Sequence, residues 1–284
     1  MTNLTQAQYR PSPVVLTGKA VLSGIGRVMP AEWYQRFYLA VDRLYRGGVR
    51  SLYLRRWCSA ALRGDAATRD RARAVFTVMP HSLVGWSGLE ATYDAVTTIN
   101  REKLAGSIVE CGVAPGGCAL LMALTDQRQQ GHRPFWLCDS FEGLPDPTAE
   151  DYEGGATGSH ASPLVRGSCL GTIEQVSELL FNRHGLDRSR VTLVQGWFQN
   201  TLPGHAAAMG PIAILRIDAD WFESVKCCLD NLFDLVVPGG FVIIDDYGSC
   251  FGARKAVDGF LEARGIPVAL VHDRRGGCCF RKAA

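Results

Sequence analysis

Four aspartates stand where chemistry could be done. Asp218 and Asp220 follow the apolar run AILRI, and Asp245 and Asp246 follow FVII, 27 residues beyond Asp218. If the two runs are parallel neighbouring strands, their ends lie about 4.8 Å apart and the acids converge. Two carboxylates about 4 Å apart repel by about 4 kcal/mol at an effective dielectric near 20, and a third adds to it. Protonation could relieve this, as in a carboxylate dyad. A divalent cation relieves it with every oxygen in use, and all-oxygen donors point to Mg²⁺, with Ca²⁺ or Mn²⁺ as substitutes. Two other readings compete. D-A-D resembles the D-x-D of metal-dependent nucleotide-sugar glycosyltransferases, which leaves the Asp245-Asp246 pair unexplained. Helix capping by Asp does not call for three acids on adjoining strand ends.

A second constellation is IVECGVAPGGCA (108–119). An apolar run reaches Glu110, turns through Gly112 and opens a helix at Gly116-Gly117. Ligands bind beyond the carboxyl ends of strands in open α/β sheets, where backbone N–H groups and a helix start are exposed. G-x-x-x-G-G is not the dinucleotide fingerprint G-x-G-x-x-G, and an acid before the turn would repel a pyrophosphate. A cofactor with an amino-acid portion and a positive sulfonium suits the turn better; a merely tight structural turn is the alternative. The third constellation is FWLCDSFEGLPDP. Asp139 lies 27 residues after Gly112, where a carboxylate could accept both hydroxyls of a ribose; capping by Asp139 and Ser140 is the alternative.

The elements that must position these residues alternate. Helical texture at 87–103, with Ser87 as N-cap and Glu90 at capping-box spacing, precedes the run SIVECG. A helix near 116–130, PFWLCD, a helix near 171–185 and VTLVQG come next. PIAILRID, a helix from SVKCCLDNLFDLV, GGFVIIDD, a helix from GARKAVDGFLEARG, PVALVH and CCFRK complete the chain. Apolar runs separated by helices predict an α/β fold, a mostly parallel sheet covered on both faces. The loop 145–163, rich in Gly, Pro, Ser and Ala, reads as long and mobile. Residues 1–80 read as a helical cap, with one helix over 31–48 stopped by Gly47-Gly48 and a second, arginine-rich piece beyond it. The division expected is a cap over 1–80 and a catalytic domain over 81–284.

Composition narrows the function. The 284 residues are 47% hydrophobic with a formal charge of +2, which gives no electrostatic reason to invoke nucleic acid or an anionic membrane. No apolar stretch reaches spanning length; PVVLTGKAVLSGIG (13–26) comes nearest, and MTNLTQAQYRP lacks the order of a secretory signal. A soluble, cytoplasmic protein is expected. Ten cysteines without a C-x-x-C pair read as core filling in a reduced compartment.

In order and approximate spacing, HSLVGWSGLEATYDAV, VECGVAPGGCA, DSFEGLPDP, VQGWFQNTLP, LRIDADWFESV and PGGFVIIDDYG resemble the macrocin O-methyltransferase family over about 80–284. That resemblance implies a Rossmann-like class I methyltransferase with a seven-stranded sheet and an N-terminal helical cap. It implies S-adenosyl-L-methionine and Mg²⁺ as cofactors, a hydroxylated small-molecule substrate of antibiotic biosynthesis, and a homo-oligomer. Glu110, Gly112, Gly116 and Gly117 would take the methionine end, Asp139 and Ser140 the ribose, and Gly196-Trp197 the adenine, with Ser82 brought over the cofactor. Asp218, Asp245 and Asp246 would bind Mg²⁺, and Asp218, or else Asp220, would take the hydroxyl proton. The chain departs from the family at Ala114-Pro115, where a bulky aromatic and a basic residue are usual, and in reading D-A-D for D-G-D. A glycosyltransferase and a non-catalytic protein keeping the fold are the alternatives; a nicotinamide enzyme lacks its glycine pattern.

Overall fold

The computed structural model describes residues 28–158 and 164–283, together with Val21 and Ile25. The readings of 1–11 and of most of 13–26 fall outside the described residues, as does 159–163 of the expected mobile loop. Seven strands form one sheet: β1 Ser107–Cys111, β2 Phe135–Asp139, β3 Val191–Gln195, β4 Ile212–Ile217, β5 Val236–Ile244, β6 Val271–His272 and β7 Cys278–Arg281. Their order is β3-β2-β1-β4-β5-β7-β6. Pairing is parallel as far as β5, and β7 runs antiparallel to both β5 and β6. The chain leaves β1 towards β3 and returns on the other side as β4. The ends of β1 and β4 are therefore the switch point where sheets of this kind open a ligand crevice.

Helices pack on both faces, which is why SIVEC and IAILRI are buried at every residue rather than alternating. One face carries α1 Ala31–Arg63, α2 Ala66–Val78, α3 Trp86–Arg101, α4 Gly117–Arg128 and the short α5 Ile173–Ser177, which runs on as a π turn. The other carries α6 Phe198–Met209, α7 Phe222–Leu232 and α8 Phe251–Ala263. All ten cysteines are free, and Cys111, Cys118, Cys138, Cys228, Cys250 and Cys278 are buried as core. None of the described helices is long and apolar enough to cross a membrane.

Three expectations need correction. Gly47-Gly48 does not end a helix: α1 runs through both glycines for 33 residues and stops at Gly64, which is left-handed at φ 72°. Each interior glycine costs about 1 kcal/mol relative to alanine, and burial of Tyr53 and Ala60, with Val49 and Trp57 against the core, outweighs that cost. Ser87 is not the cap of α3, since Gly85 holds that place and Ser87 lies buried in the first turn; Glu90 instead accepts a 2.6 Å hydrogen bond from Tyr53 Oη, tying α1 to α3. PVALVH yields only the two-residue β6. The sequence reading also places no helix between VTLVQG and PIAILRID, where α6 stands with Pro203 inside it.

Candidate active site

The ladder hydrogen bonds run right up to the acids. Asp218 N–H donates to Cys111 O at 2.8 Å, and Asp245 N–H donates to Ile217 O at 3.0 Å. Carboxylate oxygens of Asp218, Asp245 and Asp246 consequently lie within 4.8 Å of one another. Asp246 is buried, whereas the Asp218 and Asp245 side chains are 22% and 20% exposed. Asp220 turns the other way. It adopts a left-handed φ of 53°, donates its N–H to Asp246 Oδ2 at 3.3 Å and packs with Asp246 and Cys250.

A buried arginine lies among the acids. Arg216 is the cross-strand neighbour of Glu110 on β1, and both are fully buried. Its Nη1 donates to Glu110 Oε1 at 3.3 Å and to Asp218 Oδ2 at 2.9 Å, and its Nη2 donates to Asp245 Oδ1 at 2.7 Å. This guanidinium takes one oxygen from each of two expected metal ligands. Sequence reasoning missed it, although an arginine inside ILRID was a visible irregularity in an otherwise apolar strand. One guanidinium does not balance five carboxyl groups. Burial pushes Glu110 and Asp245 up to about 8 despite Arg216. Burial and the Asp218 charge raise Asp220 to about 7. Asp246 moves well above the carboxylate range, from burial first and the charges of Asp220 and Asp218 next.

The glycine turn sits against these acids. Gly112 has φ 90°, and a Cβ there would lie 1.7 Å from Asp218 O, so only glycine lets β1 and β4 end side by side. Gly116 caps α4 at φ 89°. A Cβ on Gly117 would meet His81 O at 2.4 Å, because the segment 81–84 lies directly over the turn. Ser82 is buried there, its Oγ accepting from Val84 N–H at 3.1 Å. Arg46 of α1 holds that segment from outside, donating to Ser82 O at 2.7 Å and Leu83 O at 3.0 Å. Glu110 Oε2 is a buried acceptor with no hydrogen-bond partner.

Asp139 latches two loops. Its Oδ2 accepts from Val113 N–H at 2.6 Å and Ala114 N–H at 3.1 Å, and its Oδ1 accepts from Phe141 N–H at 2.7 Å. A ribose would share these oxygens with the backbone. Ser140 Oγ accepts from Glu142 N–H at 3.1 Å. Gly196, at φ 134°, donates its N–H to Asp139 O, and Trp197 is the cap residue of α6. The expected residues thus line the carboxyl edge from β3 through β5. Between 81–84 and 113–118 the crevice is narrow, about 10 Å³. A larger hollow of about 480 Å³ between α7 and α8, lined by Lys226, Asp230, Lys255 and Phe260, contains none of the expected site residues.

The model of the macrocin-O-methyltransferase (TylF) family matches residues 51–282. The chain belongs to that family. The 8-demethyl-8-(2,3-dimethoxy-alpha-L-rhamnosyl)-tetracenomycin-C 4'-O-methyltransferase of Streptomyces olivaceus is 36% identical over 203 residues, 69% of this chain and 68% of that protein. The demethyldecarbamoylnovobiocin O-methyltransferase of Streptomyces niveus is 32% identical, over 71% of this chain and 76% of its own. The structure of the O-methyltransferase NovP, 31% identical, matches with a TM-score of 0.63 over 72% of this chain and 83% of that one. The calicheamicin methyltransferase CalS11, at 20% identity and a TM-score of 0.56, shares the fold over 96% of this chain. The protein is therefore an O-methyltransferase with the class I, S-adenosylmethionine-dependent fold.

Proposed function

We propose that this methyltransferase moves a methyl group from S-adenosyl-L-methionine to a sugar hydroxyl of a glycosylated natural product, with Mg²⁺, in the cytoplasm and as a homo-oligomer. The observation that carries it is the meeting of Asp218, Asp245 and Asp246 beside the Gly112 turn. The donor set fits the ion: all oxygens, clustered, and only partly neutralised by Arg216. The glycine turn fits a cationic amino group, for which Glu110 Oε2 is a ready acceptor.

S-adenosylmethionine supplies a methyl made electrophilic by its sulfonium, and Mg²⁺ supplies Lewis acidity that lowers the pKa of a nearby hydroxyl. Asp218, Asp245 and Asp246 would hold the ion. Asp218, with Asp220 as the other candidate, takes the hydroxyl proton as the oxygen attacks. Glu110, Gly112, Gly116 and Gly117 bind the methionine end, Asp139 and Ser140 the ribose, and Gly196 and Trp197 flank the adenine. Ser82 and its segment lie across this cleft as a lid that Arg46 restrains, and residues 145–158 of the expected loop would close the acceptor side. Residues 1–80 form the cap and 81–284 the catalytic domain. Holding donor and acceptor in line supplies much of the rate.

The rhamnosyl tetracenomycin in the name of the Streptomyces olivaceus relative supports a glycosylated acceptor here. Incubation with S-adenosylmethionine and rhamnosylated or deoxysugar aglycones, followed by mass spectrometry, should reveal one added methyl. Turnover that is unchanged by EDTA would refute the metal requirement.

A further inference from the structure

The outward face of α1 is built to meet a second helix. Positions 33, 37, 40, 44, 47, 51, 54 and 58 alternate in steps of four and three, the spacing of a coiled-coil seam. They read Trp, Phe, Ala, Leu, Gly, Ser, Leu and Cys, with no charged residue, and every one is exposed. The opposite face, through Val49, Tyr53, Trp57 and Ala60, is the one packed on the core. Trp33 is 66% and Leu44 78% exposed. The two interior glycines have no explanation within the chain, because a Cβ at Gly47 or Gly48 would meet nothing within 4 Å.

We infer that α1 is the dimer interface, pairing antiparallel with α1 of a second copy of this chain about a two-fold axis near residues 45 and 46. In that register Trp33 faces Cys58 of the other copy, Phe37 faces Leu54, Ala40 faces Ser51 and Leu44 faces Gly47. The largest side chain meets a small one, and Leu44 drops onto bare backbone at Gly47, which gives the glycine its reason. A parallel, in-register pair would instead stack Trp33 on Trp33 and leave Gly47 facing Gly47, with bulges and voids along one seam. The surface is self-complementary, as an isologous two-fold contact requires. The seam from Trp33 to Cys58 is about 38 Å long. Its four large side chains leave on the order of 450 Å² open per subunit, over half of the roughly 800 Å² that a standard interface buries on each partner. One flank brings Arg43 towards Arg50 of the other copy, but Arg50 lies folded over the ring of its own Phe76, 4.3 Å from its centre.

This rests on the homo-oligomer reading and adds the surface and its direction. Sedimentation of the full chain at micromolar concentration should give a dimer, and Gly47→Leu should weaken its association at least 100-fold with an unchanged circular dichroism spectrum. The added side chain meets nothing within one subunit, so loss of the dimer would not reflect loss of fold. Mild oxidation of Trp33→Cys should give a covalent dimer through the native Cys58, which Trp33→Cys with Cys58→Ser should not form. A monomeric wild type would overturn both the oligomer and its interface. A dimer indifferent to Gly47→Leu would overturn the interface alone, and a Cys58–Cys58 link in the wild type would overturn its antiparallel direction.

Discussion

The carboxyl edge of the sheet and the outer face of α1 both break local rules, and they break them differently. At the edge the offence is electrostatic: five carboxyl groups meet in a space that burial makes hostile to charge. The chain answers part of it internally, by running Arg216 between Glu110, Asp218 and Asp245. On α1 the offence is conformational and hydrophobic: paired glycines inside a helix, and Trp33 and Leu44 left in water. Among the described residues nothing in the chain answers that one. A partly answered strain marks a site where something small is held, whereas an unanswered one marks a surface meant for a neighbour.

The largest effect expected from breaking the edge is on chemistry. Asp218→Asn should lower methyl transfer by at least about 10³-fold, while calorimetry still detects S-adenosylmethionine binding; unaltered turnover would remove Asp218 from the reaction. Next comes stability. At pH 8.5, above the folded values of Glu110 and Asp245, Arg216→Met strands these two and Asp218 without their countercharge, and loss of one partner of a buried ion pair costs about 3–5 kcal/mol. Thermal melts should record a fall in Tm on the order of 10 °C. A smaller variant effect would mean that the acids stay protonated and need no arginine.

The pH dependence sharpens the comparison. Glu110, Asp245 and Asp220 have folded values near 8, 8 and 7, above the roughly 4 of an unfolded carboxyl. The folded state then binds more protons, so its stability is greatest at low pH for these groups and falls as pH rises from about 4 through about 8. The Tm of the metal-free protein should drop between pH 5.5 and 8.5, and millimolar Mg²⁺ should restore most of it at the upper end. A flat profile would show that the acid cluster carries no strain.

The smallest effect lies in a control for α1. Gly259 in α8 is exposed and, like Gly47, has open space where a Cβ would go. Gly259→Ala should therefore stabilise the protein by about 0.5–1 kcal/mol in denaturant titrations. Gly47→Ala should not show that simple gain if the assembly forms through α1, since the methyl that helps the helix intrudes on the contact.

Much of the edge was legible in the sequence because strand-end acids are local patterns: ILRIDAD and VIIDDY each spell out an apolar run and the carboxylates that close it. Arg216 was written in the same string, but its meaning depends on Glu110 standing opposite it, over a hundred residues away. Register across a parallel sheet is not a local property. The continuity of α1 was misread for the opposite reason. Gly-Gly is a strong local stop signal, and it was overruled by Tyr53, Trp57 and Ala60 finding the core. The seam on its other face emerges only once the helix is known to be unbroken.

The Glu110–Arg216 pair limits how this enzyme can be altered. A guanidinium and the carboxyl group it faces in the middle of a dry sheet tolerate joint replacement by matched apolar residues far better than the loss of either alone. Any lineage, natural or made in the laboratory, that reshapes acceptor choice is thus steered away from the strands and onto the outer loops, where one substitution at a time is survivable.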